Sequence, residues 1–348
     1  MPGVGHLVQA PARIYLRTGD YHEATLANQR AVLADQASIV PSREADLYAT
    51  RQVPEAYRYL CAGALLEGRR EIAVDAADRL AARATTSIGC DGDALVAASR
   101  ERDRVRPWLV RAWFGLWSEV RSVPEPPNDA EYTRTIWHYV RGLAALDHGD
   151  VEESRFHLAA MPAAAAVRSG AGESDGETLE ATVAAEILAG KLALADGGMD
   201  RGIEMLVSAV DLLDRAAQDG TARDAAAQEA AAQDAAAEHA AIRDAAAMET
   251  PGSKGDAPAQ PRDADGLLET LYPARQYLGA ALLEAKRFSE AEAVFRHGLA
   301  IFPENGWALF GLERSLRGQG RVEEADGVAV RLERAWRFAD VPLPDLDF

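Results

Sequence analysis

Two aromatic and two arginine side chains near residue 310 have the chemistry of a binding surface. Trp307, Phe310, Arg314 and Arg317 are spaced three, four and three residues apart, which places them on one face if this stretch is helical. Aromatic and Arg side chains dominate interface energetics, and Arg binds carboxylates through paired hydrogen bonds. The quartet predicts a site for a protein or peptide segment, either acidic or carboxy-terminal. The alternative interpretation is that Trp307 and Phe310 pack on the preceding repeat.

The histidines and cysteines, which often bind metals or act in catalysis, are not arranged for either role. The seven histidines include no H-x-x-x-H or H-E-x-x-H pair. His148 and His157 flank three acidic residues, so a metal or acid–base site there competes with simple capping of a helix N-terminus. Cys61 is expected to be buried, and Cys90 has no activating His or Lys close to it in sequence. We predict no catalytic residue, no metal and no cofactor.

The charge balance narrows the choice of partner. The chain has 55 acidic and 37 basic side chains, a net charge of −18, whereas nucleic acids and anionic membranes are bound by Lys/Arg surfaces. An Arg/Trp-rich stretch contains Arg100, Arg102, Arg104, Arg106 and Arg111 with Trp108, Trp113 and Trp117. Arg among Trp can stack on bases, but pairing with carboxylates is the simpler interpretation for an acidic protein. We therefore expect neither a nucleic-acid nor a membrane partner.

No targeting or membrane-spanning segment is evident in the sequence. The first residues lack a basic stretch followed by an apolar one. The most apolar short run, 159–167, is well below the roughly 18 residues that a membrane span needs. A cytoplasmic location is the expectation.

Helical periodicity runs through the whole chain, interrupted by turn residues. Apolar residues recur at helical spacing over 56–66, 71–82, 132–146, 179–195, 202–213 and 277–285. Glycines at 19, 68, 149, 197 and 320 stand between such stretches. Strand-like alternation is nearly absent. The pattern predicts an all-α fold of helix pairs joined by tight turns, and it calls for a search for repeats.

A repeat is clearest near the C-terminal end. Gly279 is adjacent to Leu278 on one predicted helix, and Ala291, Phe295 and Gly298 lie on the next. These are the spacings of the 34-residue tetratricopeptide repeat. Small residues stand where its helices touch, and Phe295 fills the gap toward the following repeat. Upstream copies are weaker and contain Tyr15, Gly19, Ala24 and Ala31, then Leu60, Gly68 and Ala73, then Gly142, Gly149 and Ser154, then Gly190, Gly197, Gly202 and Ala209.

The following repeat keeps this register. Ala325 comes 34 residues after Ala291, with Leu312, Leu316 and Gly320 at their expected positions. We expect a tetratricopeptide-like α-solenoid, a right-handed superhelix whose concave groove contains the first helix of each repeat.

Several segments resemble a family of bacterial and archaeal tetratricopeptide-repeat proteins of poorly defined function. They are HLVQAPARIYLRTGDYHEATLANQRAV, VPEAYRYLCAGALLEGRRE, ARQYLGAALLEAKRFSEAEAVFRHGLAIFPENGWALFGLERSLRGQGR and ERAWRFAD, about a third of the chain. The family has additional chain before the segment that matches Gly5, so a late start is expected. The resemblance implies a groove with histidines, including an i, i+4 pair suited to a metal half-site.

This sequence departs from the family at those groove positions. Gln9 and Arg13 replace one pair of histidines, and Glu55 and Arg58 replace another. An always-protonated Arg does not bind a divalent ion. Arg13, Glu55 and Arg58 instead predict a charge cluster, either an ion-pair network or a ligand site.

The domain organisation follows from these repeats and their interruptions. We predict N-terminal helix pairs over 1–85, an irregular Arg/Trp-rich insert over 86–128, and central pairs over 129–218. An Ala-rich helix and linker then cover 219–264, followed by a C-terminal pair over 265–340 and an extended tail over 341–348 that can fold over the Trp307 surface.

The expected function is a non-catalytic scaffold that binds a protein or peptide in its concave groove. Two alternatives are open. The chain is a divergent member of a metal-using family, or it is a truncated partner subunit.

Overall fold

The computed structural model describes residues 5–38, 43–86, 94–127, 130–161, 176–219 and 271–343. Within these ranges the chain is helical and contains no strand. In chain order, the helices are α1 (Gly5–Thr18), α2 (Tyr21–Ser38), α3 (Arg43–Leu66), α4 (Arg70–Thr86), α5 (Ala94–Trp113), α6 (Trp117–Ser122), α7 (Glu131–Asp147), α8 (Val151–Ala159), α9 (Gly176–Ala195), α10 (199–219), α11 (Ala274–Glu284), α12 (Phe288–Ile301), α13 (Gly306–Gly318) and α14 (Val322–Ala335).

The helices pack in sequence order, each against its neighbours along the chain. Contacts join α1 to α2, α2 to α3, α3 to α4, α4 to α5 and α7 to α8, and they continue from α11 to α14. Alternate helices also touch, since α1 meets α3, α5 meets α7, α7 meets α9, and α9 meets α11. This is the arrangement of a solenoid-like helical repeat, and it confirms the predicted all-α fold class.

The predicted turn glycines have a conformational reason. Gly19, Gly68, Gly149, Gly197 and Gly320 all have positive φ, between 73° and 85°. Side chains other than glycine adopt this region only at a cost. Each of the five ends a helix and lets the next one fold back, so these sequence positions fix where helix pairs begin and end.

Small, buried residues lie at the predicted contacts between successive helices. Ala73, Ala291 and Ala325 are fully buried, as is Cys61, and burial raises the pKa of the Cys61 thiol to about 11. These positions were predicted to be small and buried. An inert thiol inside the core is the physical outcome.

The region predicted as an irregular insert contributes helices to the array. Helix α5 runs for 20 residues and packs against α4 on one side and α7 on the other. The short helix α6 adds contacts to α5 and α7. Residues 220–270 lie outside the described residues, and with them most of the Ala-rich segment predicted over 219–264. Cys90 and residues 344–348 also lie outside.

The two ends of the helical array meet. Tyr21 donates a hydrogen bond from its hydroxyl to the carbonyl oxygen of Pro303, at 2.6 Å. The Trp336 ring occupies the space beside Gly68, where an added Cβ would approach it to 2.6 Å. His22 stacks on Phe338 with ring centroids 3.7 Å apart. We call Trp336, Phe338 and Asp340, which follow α14, the clasp, because they hold the last repeat against the first helices.

Candidate functional site

A surface depression with a volume of about 670 Å³ lies between α13 and α14. We call it the terminal groove. Its walls are Phe310, Glu313, Arg314, Arg317, Ala329, Leu332, Glu333, Trp336 and Leu343. Three of the four residues in the predicted binding quartet line it, namely Phe310, Arg314 and Arg317. Apolar side chains form the floor and charged side chains stand at the edge.

The structure corrects the placement of the fourth member, Trp307. Its side chain is 6% exposed, and its indole N–H donates to the carbonyl oxygen of Leu65 at 2.9 Å. The ring also packs edge-on against Trp336, with centroids 4.8 Å apart. Trp307 therefore stabilises the junction between α13 and α3, and its partners lie in α3 and the segment after α14, whereas packing on the preceding repeat was the alternative expected. Phe310 is equally buried but still contributes to the groove floor.

The groove exists because the side-chain packing at the α12–α13 junction is not repeated on the outer side of α14. At that junction, α12 meets α13 through three matched positions. The rings of Phe288 and Phe295 fill the spaces beside Gly318 and Gly311, where a Cβ would overlap them. A Cβ on Gly298 would lie 3.9 Å from the Cβ of Ala308, an ordinary contact. Large residues on α12 thus meet glycines on α13 in one antiparallel register.

The equivalent positions on α14, 34 residues later, have different sizes. Val322 replaces Phe288, Ala329 replaces Phe295, and Leu332 replaces Gly298. Within the described residues no further helix covers this face, and Val322 is 51% exposed. The absence of a large side chain at 329 leaves the space that becomes the groove.

The two groove arginines differ in how strongly they are already engaged. Arg317 forms ion pairs with Glu313 and, at 3.0 Å, with Asp326. Hydrogen bonds to these carboxylates raise the pKa of its guanidinium. Arg314 lies over the Phe310 ring at 5.0 Å, and its Nε is 3.9 Å from a Glu313 oxygen. Both side chains are 44% exposed, so a carboxylate from a partner can reach them.

The residues of the predicted cluster, Arg13, Glu55 and Arg58, form ion pairs that join α1 to α3 and α3 to α5. Arg13 on α1 is hydrogen-bonded to Glu55 on α3. Arg58 on α3 binds Asp103 on α5 through two hydrogen bonds of 2.9 and 2.6 Å. An additional 2.6 Å bond links Arg58 to Ser99. This geometry matches the ion-pair interpretation, because the charges tie neighbouring helices together.

A buried polar group that the sequence did not single out lies on α9. Glu180 on α9 is 6% exposed and pairs with Arg102 at 2.7 Å. Its carboxylate also accepts hydrogen bonds from the hydroxyls of Tyr132 and Tyr272. Burial, and secondarily the Glu180 charge, raises the pKa of both tyrosines. A charged residue within a predicted apolar helix was the signal available in the sequence.

The Arg/Trp-rich stretch is also engaged with carboxylates. Arg111 binds Asp78 through hydrogen bonds of 2.8 and 2.9 Å and binds Glu119 at 2.9 Å. Arg106 is 7% exposed. Trp113 and Trp117 pack against the main core. These contacts follow the pairing interpretation, with the tryptophans as packing residues.

The described histidines include one buried pair, which sequence spacing did not predict. The Nδ1 atoms of His138 on α7 and His157 on α8 are 2.9 Å apart, and each residue is 3% exposed. Burial first, then the neighbouring imidazole, lowers the pKa of His138 to about 4. Burial and then Arg141 lower the pKa of His157. Sequence proximity had grouped His157 with His148 instead.

The acidic residues beside this pair have a structural role. The Asp150 side chain accepts a 2.9 Å hydrogen bond from the backbone N–H of Glu153 and so caps α8, as the capping interpretation requires. Over the described ranges, no group of three or more His, Cys, Asp or Glu side chains converges as metal ligands would. None of the helices there combines the length and apolarity of a membrane crossing.

No protein-family model matches the chain, and a comparison with curated proteins finds no match either. The shape and chemistry of the terminal groove are therefore the basis for proposing a function.

Proposed function

We propose that this chain is a non-catalytic helical-repeat module of the tetratricopeptide type, which binds a protein or peptide segment. The terminal groove is the binding site, and Phe310, Arg314 and Arg317 are its recognition residues. The observation that supports this proposal is the groove itself, where an apolar floor lies next to two half-exposed guanidinium groups. That combination suits a segment with an apolar side chain close to a carboxylate.

The inner ion pairs have a supporting role in this proposal. Arg13, Glu55 and Arg58 are engaged with partners on neighbouring helices, and their pairing fixes the spacing of the first helices. A rigid array presents its terminal groove in one shape, which lowers the entropy cost of binding. We therefore assign partner recognition to the terminal groove and positioning to these ion pairs.

A peptide-display library selected on the immobilised full chain tests the proposal. Arg314→Ala combined with Arg317→Ala is expected to reduce recovery of the selected peptides at least tenfold, since both guanidinium groups leave the groove edge. The matched control is Arg79→Ala with Arg296→Ala, because these half-exposed arginines pair with acidic residues on their own helices and do not line the groove. Equal recovery on all three proteins would contradict the proposal.

A further inference from the structure

We infer that the partner segment is an amphipathic helix with a large apolar side chain that enters the space above Ala329. A small residue precedes that anchor by three positions, and a further apolar residue follows it by seven. The inference rests on the proposed function, because it specifies what the terminal groove binds.

The register of the preceding junction supplies the spacing. Ala308, Gly311 and Gly318 on α13 face Gly298, Phe295 and Phe288 on α12. A helix that packs on α14 in the same antiparallel register presents three positions, one each to Leu332, Ala329 and Val322. Along that helix the second position follows the first by three residues, and the third follows the second by seven. Repeat arrays stack neighbouring units through equivalent interfaces, so the α12–α13 register is the one to expect for a helix added to α14.

The sizes of the facing residues select the side chains. Beside α12, a large Phe295 meets Gly311, which has no side chain. On α14 the equivalent residue is the small Ala329, so close packing requires the large side chain to come from the incoming helix. Leu332 replaces Gly298 and in turn requires a small residue opposite. Swaps that conserve total volume are the ones a packed interface tolerates.

The groove already accommodates one aliphatic side chain of this protein. Leu343, which follows the clasp, lines the groove and packs against the main core. Among the described residues, no other side chain fills the volume of about 670 Å³ that Leu343 borders. Arg314 at the edge, with its Nε 3.9 Å from Glu313, provides a carboxylate contact that orients the incoming helix.

Two synthetic peptides provide a direct test with the full chain. Both have the α13 sequence Asn305–Gln319 and a fluorescent label, and they differ only by Gly311→Phe. In anisotropy titrations, the Phe peptide is expected to bind the unchanged protein at least tenfold more tightly than the Gly peptide. Ala329→Phe in the protein is expected to reverse that order, because the groove then resembles the α12 surface.

Control variants distinguish failure of the predicted helix pattern from failure of the proposed function. Ala300→Phe adds the same ring to an exposed position on α12 and is expected to leave the tenfold preference unchanged. If Ala329→Phe disturbs α14, seen as lost helicity by circular dichroism, the two peptides on the unchanged protein still carry the test. The helix signature is the small, large and apolar pattern inferred for the incoming helix. If the two peptides bind with equal affinity, and Arg314→Ala/Arg317→Ala weakens both, the helix signature is overturned and the proposed function stands. If neither peptide binds at millimolar concentration, the helix signature is overturned.

Discussion

Asp340 accepts a 2.6 Å hydrogen bond at its carboxylate from the backbone N–H of Arg70, although 270 residues separate the two in sequence. The other carboxylate oxygen accepts from the N–H of Glu71 at 3.0 Å. The first turn of α4 is therefore capped by a residue from the opposite end of the array. Helix capping, which is usually local in sequence, here connects the two ends of the array. A single substitution at Asp340 removes this connection.

Replacing Asp340 with Ala is expected to lower the free energy of unfolding by about 1–2 kcal/mol, since two helix N–H groups lose their acceptor. A loss of that size corresponds to a fall in Tm of roughly 2–8 °C for a chain of this class, measurable by circular dichroism. Asp340→Asn is the graded comparison, because its amide keeps one acceptor oxygen for the two N–H groups and is expected to lose only part of the stability. Equal losses in the two variants would show that capping is not the source of the stability.

The glycine at the α12–α13 junction gives a second prediction. A Cβ at Gly311 would overlap the Phe295 ring, so Gly311→Ala is expected to cost about 1–3 kcal/mol through overpacking. Gly327 on α14 has no atom within 4 Å of its Cβ position. There the same change should stabilise the helix by roughly 0.5–1 kcal/mol.

Denaturation in urea of both variants provides the measurement. Combining Gly311→Ala with Phe295→Leu is expected to recover part of the loss, with a coupling of about 0.5–3 kcal/mol between touching residues. Strict additivity of the two changes would show that the contact between Phe295 and Gly311 is absent in solution.

The buried histidine pair predicts an acid-sensitive stability. The folded protein lowers the pKa of His138 to about 4, whereas an unfolded His titrates near 6.5. Between these values the unfolded chain binds more protons, so the free energy of unfolding falls as pH decreases from about 6.5 toward 4. Each unit of pKa difference corresponds to about 1.4 kcal/mol. Protonation of His138 also places a cation near Arg134, and protonation of His157 places one near Arg141.

Urea denaturation at a series of pH values tests this prediction. His138→Gln removes the titrating group and is expected to flatten the loss of stability between pH 6.5 and 4.5. His148→Gln, at the exposed end of α7, is the matched control and should retain the slope of the unchanged protein. An identical slope in the His138 variant would show that other groups cause the acid sensitivity.

Leu343 provides a prediction about the groove itself. Because its side chain already lines the terminal groove, Leu343→Ala is expected to raise the affinity for the Gly311→Phe peptide about threefold to tenfold. Removing a competing side chain leaves more apolar surface for the anchor, at about 25 cal/mol per Å². Val330→Ala, 59% exposed on the outer face of α14, should leave the affinity unchanged. Weaker binding to the Leu343 variant would show that Leu343 is part of the recognition surface.

The sequence by itself determined the features that depend on local spacing. Turn glycines such as Gly68 require positive φ, and only their own backbone conformation decides this. The 34-residue register placed small residues at Ala291 and Ala325 and a large one at Phe295, because adjacent helices touch at fixed intervals. The Asp150 cap and the burial of Cys61 followed from the same short-range rules.

The tertiary structure alone decided which distant groups meet. Trp307 is buried because Leu65, 242 residues away, and Trp336 enclose it, and no local pattern encodes that enclosure. Arg58 found Asp103, and His138 found His157, through the angles at which helices pack. Local spacing constrains a helix and its immediate partner. Contacts between the ends depend on small rotations summed over every repeat, and these rotations come from the whole packed core.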